Sequence, residues 1–219
     1  GKGALKQALQ VLSEQVEAAV AEGCSIIVLS DRAAQDEVPI PSLLAVAAVH
    51  NHLMRVGKRT FADIVVETGD ALSAHDFAAL VGYSASGIYP YMAHECIAHL
   101  AQTGQLNVSA EQGIANYNKA VMAGIMAIMS KMGISTVQSY HSAQIFEAVG
   151  LTQEFIDNYF AGTVSRVGGL GVEEIQREEN QRYDDAVALL ASPAPDQLPS
   201  LGLTKWRPVG GEEHLIDPE

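Results

Sequence analysis

The chain has 219 residues, of which 48% are hydrophobic and 6% aromatic, and its formal net charge is −13. This length suits one large domain or two small ones with a substantial core. Because only 13 residues are lysine or arginine, the composition argues against nucleic-acid binding, which needs clustered cations. The chain shows no apolar run of the roughly 18 residues that a membrane helix needs, and its first ten residues lack the apolar core of a signal peptide.

Amphipathic helices alternate with short apolar runs along the chain. Residues 4–23 have apolar side chains spaced three and four apart, which predicts a helix. Residues 25–30 are apolar and β-branched, which predicts a strand buried on both faces. By the same criteria we predict further strands at 63–67, 85–89 and 134–139. We predict further helices at 42–56, 72–81, 91–103, 110–132, 143–149, 152–160 and 172–190.

This alternation predicts an α/β fold of repeated βα units with a mostly parallel sheet. Four predicted strands are too few for a closed eight-stranded barrel, so we expect an incomplete, TIM-barrel-like arrangement. Residues 163–166 have the pattern of a short additional strand. The glycines that follow, Gly168, Gly169 and Gly171, are expected to form a tight turn between two helices.

The composition changes after Ser192. Residues 193–219 hold the only tryptophan, Trp206, and five of the eight prolines, at positions 193, 195, 199, 208 and 218. We therefore expect an α/β domain over residues 1–192 and an extended C-terminal arm over residues 193–219. The two cysteines, Cys24 and Cys96, lie in apolar segments, so we expect reduced core residues and a cytoplasmic protein.

Histidine motifs do not predict a metal site. His99 comes five positions after His94, whereas the zinc-protease helix motif places its two histidines four positions apart. We expect Glu95 and His99 to form a surface pair instead. His50 and His52 are two residues apart on a predicted helix and so point to different sides.

Phosphate and acid–base motifs are equally weak. The chain lacks a Walker-type phosphate loop, and the glycines at 168–171 lack the third glycine of the dinucleotide fingerprint, although backbone N–H groups there are able to bind an anion. Asp31, Glu67 and Asp70 follow predicted strands, where α/β proteins build their sites, but acids at such positions are also common helix caps. From these patterns alone the chain is an α/β domain of open function.

Residues 129–150 are the most distinctive sequence segment of the chain. Its run Ser130-Lys-Met-Gly-Ile-Ser-Thr136, with Gln138-Ser-Tyr140 and Ala143-Gln-Ile-Phe-Glu-Ala148, resembles the central domain of the large (α) subunit of glutamate synthase. The resemblance extends in order over nearly the whole chain. It includes Leu29-Ser-Asp-Arg32, Pro39-Ile-Pro-Ser-Leu-Leu-Ala-Val46, Val49-His-Asn-His-Leu53, Val65-Val-Glu-Thr-Gly69, Leu80-Val-Gly-Tyr83, Gly162 to Gly171 and Lys205-Trp-Arg207.

This resemblance implies a piece of an enzyme that makes two glutamates from glutamine and 2-oxoglutarate. In that family an amidotransferase domain releases ammonia, which passes through a tunnel to a synthase domain that carries FMN and an iron–sulfur cluster. The central domain lies between them without a cofactor of its own. The resemblance thus implies a non-catalytic scaffold that begins inside the family's central domain, is silent when isolated, and has the amidotransferase and FMN domains of the same polypeptide as partners.

Candidate tunnel or interdomain contacts follow from the resemblance. They lie in the distinctive segment: Lys131, Ser135, Gln138, Ser139, Tyr140 and His141. The loop reads Ser139-Tyr140-His141-Ser142, where the family has an arginine and a glycine at the last two positions, so it lacks the arginine that an anion-binding role would use. Residues 84–87, Ser-Ala-Ser-Gly, are also an unusual version of their loop in the family. Exposed apolar surface left by absent neighbours would favour self-association. The alternative is a free-standing, barrel-like small-molecule or phosphate-binding enzyme that uses residues 135–142 and 168–171.

Overall fold

The structure is a computed structural model, and it describes residues 3–32 and 37–191. The predicted arm at 193–219 lies outside the described residues. Contacts divide the chain into two units, residues 1–180 and 181–219. The described part of the second unit is the end of one helix, in which Gln181 donates to Asp185 across one turn at 2.8 Å.

The first half of the chain forms a parallel sheet with helical crossovers. Helix α1 (Ala4–Ala21) precedes β1 (Ile26–Ser30), α2 (Ser42–Arg55) connects β1 to β2 (Asp63–Glu67), and α3 (Ala74–Gly82) connects β2 to β3 (Gly87–Tyr89). A 3₁₀ turn, Arg59–Phe61, precedes β2. The strand order is β1-β2-β3, with Ile26 opposite Asp63 and Glu67 opposite Tyr89.

The second half contains a smaller parallel sheet. After α4 (Tyr91–Gln102), α5 (Ala110–Met132) and the short α6 (Val137–Tyr140), strand β4 (Glu147–Leu151) is connected by α7 (Gln153–Tyr159) to β5 (Val164–Leu170). Helix α8 (Val172–Ala191) follows. The two strands pair in parallel with register shifts on both sides of Val149.

The main core lies on one face of the first sheet. Alternate strand residues such as Ile27, Leu29, Ile64 and Val66 point toward α1, α2, α3 and α5 and are buried. On the opposite face Ile26 and Val28 remain 64% and 59% exposed. The sheet is therefore covered on one face within the described residues, and the predicted burial of β1 on both faces is wrong.

Within residues 3–32 and 37–191 the strands form two short parallel sheets, neither of which closes into a barrel. The α/β fold with repeated βα units and an incomplete, barrel-like arrangement is thereby confirmed. In that same part of the chain, no helix combines the length and apolarity needed to cross a bilayer.

The predicted strand at 134–139 and helix at 143–149 are wrong. Thr136 starts a helical turn instead, because its side-chain oxygen accepts a hydrogen bond from the Ser139 N–H at 3.3 Å. Residues 134–139 are not among the paired strand residues of the described chain. The following residues pair as β4 with β5, which includes Gly168 and Gly169. These glycines are thus part of a strand and not of a turn between helices.

The predicted burial of the two cysteines is also wrong. Cys24 and Cys96 are free but exposed. Cys24 follows Gly23 in the turn before β1, and Cys96 lies on the outward side of α4. Among the nearby apolar residues Val20, Ile27 and Ala93 are buried, whereas Ile26 is exposed like the cysteines.

Candidate functional site

The carboxyl ends of β1, β2 and β3 meet at one edge of the first sheet, where parallel α/β folds build their sites. Asp31, directly after β1, accepts hydrogen bonds from Thr68 Oγ1 at 2.7 Å and from the Gly69 N–H at 3.0 Å. Thr68 is fully buried. The carboxylate thus joins the end of β1 to the loop after β2.

A second set of polar contacts surrounds Arg32. Ser30 donates to the Glu67 carboxylate at 2.5 Å, and the Arg32 guanidinium lies 3.5 Å from Glu67 and 2.6 Å from Glu95. The same guanidinium lies 4.9 Å from the centre of the Tyr91 ring. Burial, and then the neighbouring Asp31, raise the pKa of Tyr91 to about 12, so this phenol is neutral at physiological pH.

Asp70 caps the helix that crosses beneath this edge. Its Oδ2 accepts from the Ser42 N–H at 3.2 Å, while its own N–H donates to Thr68 Oγ1 at 3.0 Å. Since the N-terminus of α2 has no side-chain cap of its own, the loop after β2 supplies it. Asp31, Glu67 and Asp70 all stand at strand ends, as predicted, and all three bind protein groups.

A cavity of about 420 Å³ opens beside this edge. Its apolar wall includes Leu12 and Ile40, and its polar wall includes Ser30, Asp31 and Glu67. Each of these three polar side chains already forms the hydrogen bonds described above. The arrangement therefore ties the strand ends together and leaves these carboxylates engaged.

The candidate contacts of the distinctive segment lie elsewhere. Lys131, Ser135, Gln138 and Ser139 are exposed and His141 is half-buried, whereas Tyr140 is completely buried against Ala78 and Met129. Gln138, Ser139 and Tyr140 lie in α6 and not at the end of a strand, so the expected strand-end loop does not form. The six residues are brought together only by their sequence proximity and by α6.

This segment reaches the amino ends of the strands. Ser142 Oγ lies 2.7 Å from Ser84 Oγ, in the turn before β3, and 3.1 Å from His50 Nε2 on α2. Arg59, in the 3₁₀ turn before β2, donates through Nε to His50 Nδ1 at 3.0 Å and through a terminal nitrogen to the Ser84 carbonyl at 3.0 Å. The distinctive segment and the Asp31 cluster are thus at opposite edges of the sheet.

His50 and Ser142 do not form a base–nucleophile pair. Arginine only donates, so Nδ1 of His50 must accept, and the imidazole proton is on Nε2. Nε2 therefore donates to Ser142 and is unable to take its proton. Burial, and then the charge of Arg59, lower the pKa of His50 to about 4, which keeps the ring neutral at physiological pH.

Sequence reasoning missed this cluster. His50 and Arg59 are nine positions apart, Ser84 and Ser142 lie much further along the chain, and none belongs to a catalytic motif. One signal was available in the sequence, namely the unusual residues at 84–87. In the structure Ser84 has a positive φ of 80°, where a glycine would be unstrained.

The other histidines behave largely as ordinary surface residues. His52 pairs with Glu17 at 2.7 Å, so His50 and His52 do point to different partners, as predicted. Glu95 pairs with Arg32, and the predicted pair with His99 is not among its contacts. Within the described ranges no group of three or more His, Cys, Asp or Glu residues is arranged to hold a metal ion.

The glycine-rich segment before α8 has its anion position filled by the chain itself. The Gly171 N–H donates to the Glu174 carboxylate at 2.9 Å. The Gly171 hydrogen bond, in turn, lowers the pKa of Glu174. A phosphate at this helix start would have to displace a carboxylate of like charge, which weakens the phosphate-binding alternative.

A family model described as the glutamate synthase central domain matches residues 1–152. The chain is 42% identical over 220 residues to the glutamate synthase [NADPH] large chain of Bacillus subtilis, covering 98% of this chain. It is 42% identical over 227 residues to the ferredoxin-dependent glutamate synthase of Pyropia yezoensis, also over 98% of this chain.

A third relative, ferredoxin-dependent glutamate synthase 2 of Synechocystis, is 41% identical over 234 residues and covers 100% of the chain. The matched region is 14% of the length of the first two relatives and 15% of the third. The match therefore covers nearly all of this chain and a small part of each relative. The chain belongs to the glutamate synthase central domain family.

Proposed function

We propose that the chain is the central part of a glutamate synthase large chain, and that it acts as a non-catalytic scaffold between an amidotransferase domain and an FMN-binding synthase domain. The observation that carries this proposal is that 98–100% of the chain matches glutamate synthases, of whose length the match makes up only 14–15%. Identity is 42% with both an NADPH enzyme and a ferredoxin-dependent enzyme. The role is accordingly one that does not depend on the electron donor.

The contacts at the carboxyl edge of the sheet favour a scaffold role and not an active site there. The polar side chains that would do chemistry there, Asp31, Glu67 and Asp70, each hold a neighbouring strand end, loop or helix. Loss of the Asp31 contact would leave the buried Thr68 hydroxyl without this acceptor, which costs about 1–3 kcal/mol. The proposal therefore assigns these carboxylates to rigidity.

For the tunnel we propose that the segment from Lys131 to His141 faces the ammonia path or a neighbouring domain. Ser135, Gln138 and Ser139 are exposed, small or neutral, and so would admit ammonia without trapping it as ammonium. Among the described residues, Tyr140 has a buried hydroxyl without a hydrogen-bond partner. A buried hydroxyl without a partner favours the binding of a small polar molecule beside it, which supports including Tyr140 in the proposed path.

The iron–sulfur cluster of the family does not fit this chain. Such clusters need several cysteine thiolates, and the sequence has two cysteines, which lie before β1 and on α4. We propose that the cluster and FMN belong to other parts of the large chain. We also propose a cytoplasmic location, which is consistent with the free thiols of Cys24 and Cys96.

The first test is reconstitution. The corresponding segment of the Bacillus subtilis large chain is replaced by this chain, and glutamate formation is measured with glutamine and separately with ammonium as the nitrogen source. We expect the chimera to use both sources and the isolated chain to form no glutamate from glutamine, 2-oxoglutarate and a reductant. Glutamate formation by the isolated chain would refute the scaffold.

The tunnel is tested in the same chimera. Ser139→Trp places a bulky side chain on the proposed path, and Asn107→Trp places the same side chain at an exposed position outside the segment. We expect Ser139→Trp to lower the glutamine-dependent rate at least several-fold while the ammonium-dependent rate is retained, and Asn107→Trp to change neither. Equal loss of both rates in Ser139→Trp would contradict a tunnel role.

A further inference from the structure

The amino edge of the first sheet holds two non-glycine residues in a left-handed conformation. Ser84 has a φ of 80° and Ser142 a φ of 55°, and their hydroxyl oxygens are 2.7 Å apart. Residues other than glycine keep such angles only when their surroundings hold them there. The contacts of these two serines therefore restrain the turn at residues 141–144, in which Gln144 also has a positive φ of 53°.

The restraints form a directed series of hydrogen bonds. Arg59 donates to His50, the neutral ring donates through Nε2 to Ser142, and the Ser142 hydroxyl is then free to donate to Ser84. The Ser142 N–H also donates to the Gly82 carbonyl at 2.9 Å. Every polar atom in the series has a defined role, so the arrangement depends on the tautomer of a single imidazole.

We propose that His50 is a positioning residue, which holds Ser142 and with it the segment 134–146 against helix α2. The anchors on either side of Ser142 are apolar: Tyr140 is buried against Ala78, and the Phe146 ring stacks on Tyr83 at 5.8 Å. Between these anchors, His50 is the link from the segment to α2.

Because His50 lies on α2, it connects the segment to contacts at the opposite edge of the sheet. The first residue of α2, Ser42, is bound by Asp70 at the carboxyl edge, and His50 lies about two turns further along the same helix. A shift of the segment would thus bear on the Asp31 and Asp70 contacts through one rigid helix. This extension rests on the proposed function, in which the segment contacts a neighbouring domain.

The test is hydrogen–deuterium exchange of the 219-residue chain at pH 7, followed by mass spectrometry of peptides that cover residues 134–146. His50→Phe keeps an aromatic ring and removes both hydrogen bonds, whereas His50→Gln keeps an N–H that donates to Ser142. We expect His50→Phe to accelerate exchange at residues 141–146 by about three- to tenfold, the effect of losing one partly exposed hydrogen bond. His50→Gln should restore most of the protection, and α7 should be unchanged in both variants.

Unchanged exchange in His50→Phe, or equal acceleration in His50→Gln, overturns the inference, because packing alone would then account for the segment's position. If His50→Phe fails to fold, Ser142→Ala provides the same test from the other partner, since it removes the hydroxyl and adds no bulk. No acceleration in Ser142→Ala overturns the inference too. Because amide exchange involves no glutamate chemistry, this result is independent of the reconstitution test of the proposed function.

Discussion

His50 and His141 lie beside Arg59 at the amino edge of the sheet. Burial and then the positive charge of Arg59 lower the pKa of both histidines, His50 to about 4. Asp63, the nearest acid in this group, opposes the effect at His141. Both imidazoles are therefore neutral in the folded chain across a pH range in which an unfolded histidine takes up a proton.

We expect stability to fall as the pH is lowered from about 6.5 to about 4. In that window the unfolded chain binds a proton at residue 50 and the folded chain does not, so acid favours unfolding; above it the effect vanishes. His50 should account for a loss of about 1–2 kcal/mol, because solvent screens part of the effect at a half-buried ring. Urea unfolding at pH 7, 5.5 and 4 measures it.

The control for this prediction is His50→Gln, which does not titrate. Its free energy of unfolding should decrease less between pH 6.5 and 4 than that of the wild-type chain. An identical decrease in both proteins would show that acid destabilisation arises elsewhere, for example at the carboxylates of the opposite edge.

At the scale of single elements, β4 and β5 approach each other unusually closely. A side chain at Gly169 would meet the carbonyl oxygen of Gly150, a backbone atom that has no freedom to move aside, whereas a side chain at Gly168 would have no neighbour within 4 Å. The register shifts around Val149 accompany this close approach. The glycine at 169 is thus required by packing between backbones.

We expect Gly169→Ala to destabilise the chain by about 1–3 kcal/mol, the usual range for forcing an extra carbon into a packed site. Gly168→Ala, one residue away in the same strand, should change stability by less than about 0.5 kcal/mol, as surface substitutions do. Thermal or urea unfolding of the two variants measures the difference. Equal destabilisation would mean that strand flexibility, and not the contact with Gly150, decides the cost.

At the scale of the whole molecule, the first sheet has one buried face and one exposed apolar face. Leu29 is buried on the first, and Val28, its neighbour in β1, is 59% exposed on the second. A parallel sheet is normally covered on both faces. This exposed face is consistent with the proposed position of the chain between two other domains.

Val28→Lys should therefore have unequal effects in two contexts. In the isolated chain we expect a change in the free energy of unfolding of about 0.5 kcal/mol or less, since the side chain is largely in solvent. In the chimeric large chain we expect a lowered unfolding temperature, because a lysine would be buried against a neighbouring domain. Leu29→Ala is the reference and should cost about 2–5 kcal/mol in either context. An unchanged chimera would show that this face stays open.

Much of the fold is readable from the sequence. The periodic helices α1, α2, α5 and α8 and the apolar strands β1 and β2 agree with prediction within a few residues, because their patterns are long or strongly β-branched. The run at 134–140 is short and mixed in polarity. Its state depends on partners distant in sequence, namely the Tyr140 pocket against α3 and α5, and the pairing of β4 with a glycine-rich strand.

The family, the α/β class and the acids at the strand ends could all be predicted from local sequence patterns and motifs. The roles of those residues depend on the three-dimensional arrangement. The structure shows that the carboxylates at one edge bind loops and helix ends, and that the distinctive segment lies at the other edge, held by His50 and Arg59. These outcomes depend on contacts between residues far apart in the chain, and local sequence patterns contain no information about such distances.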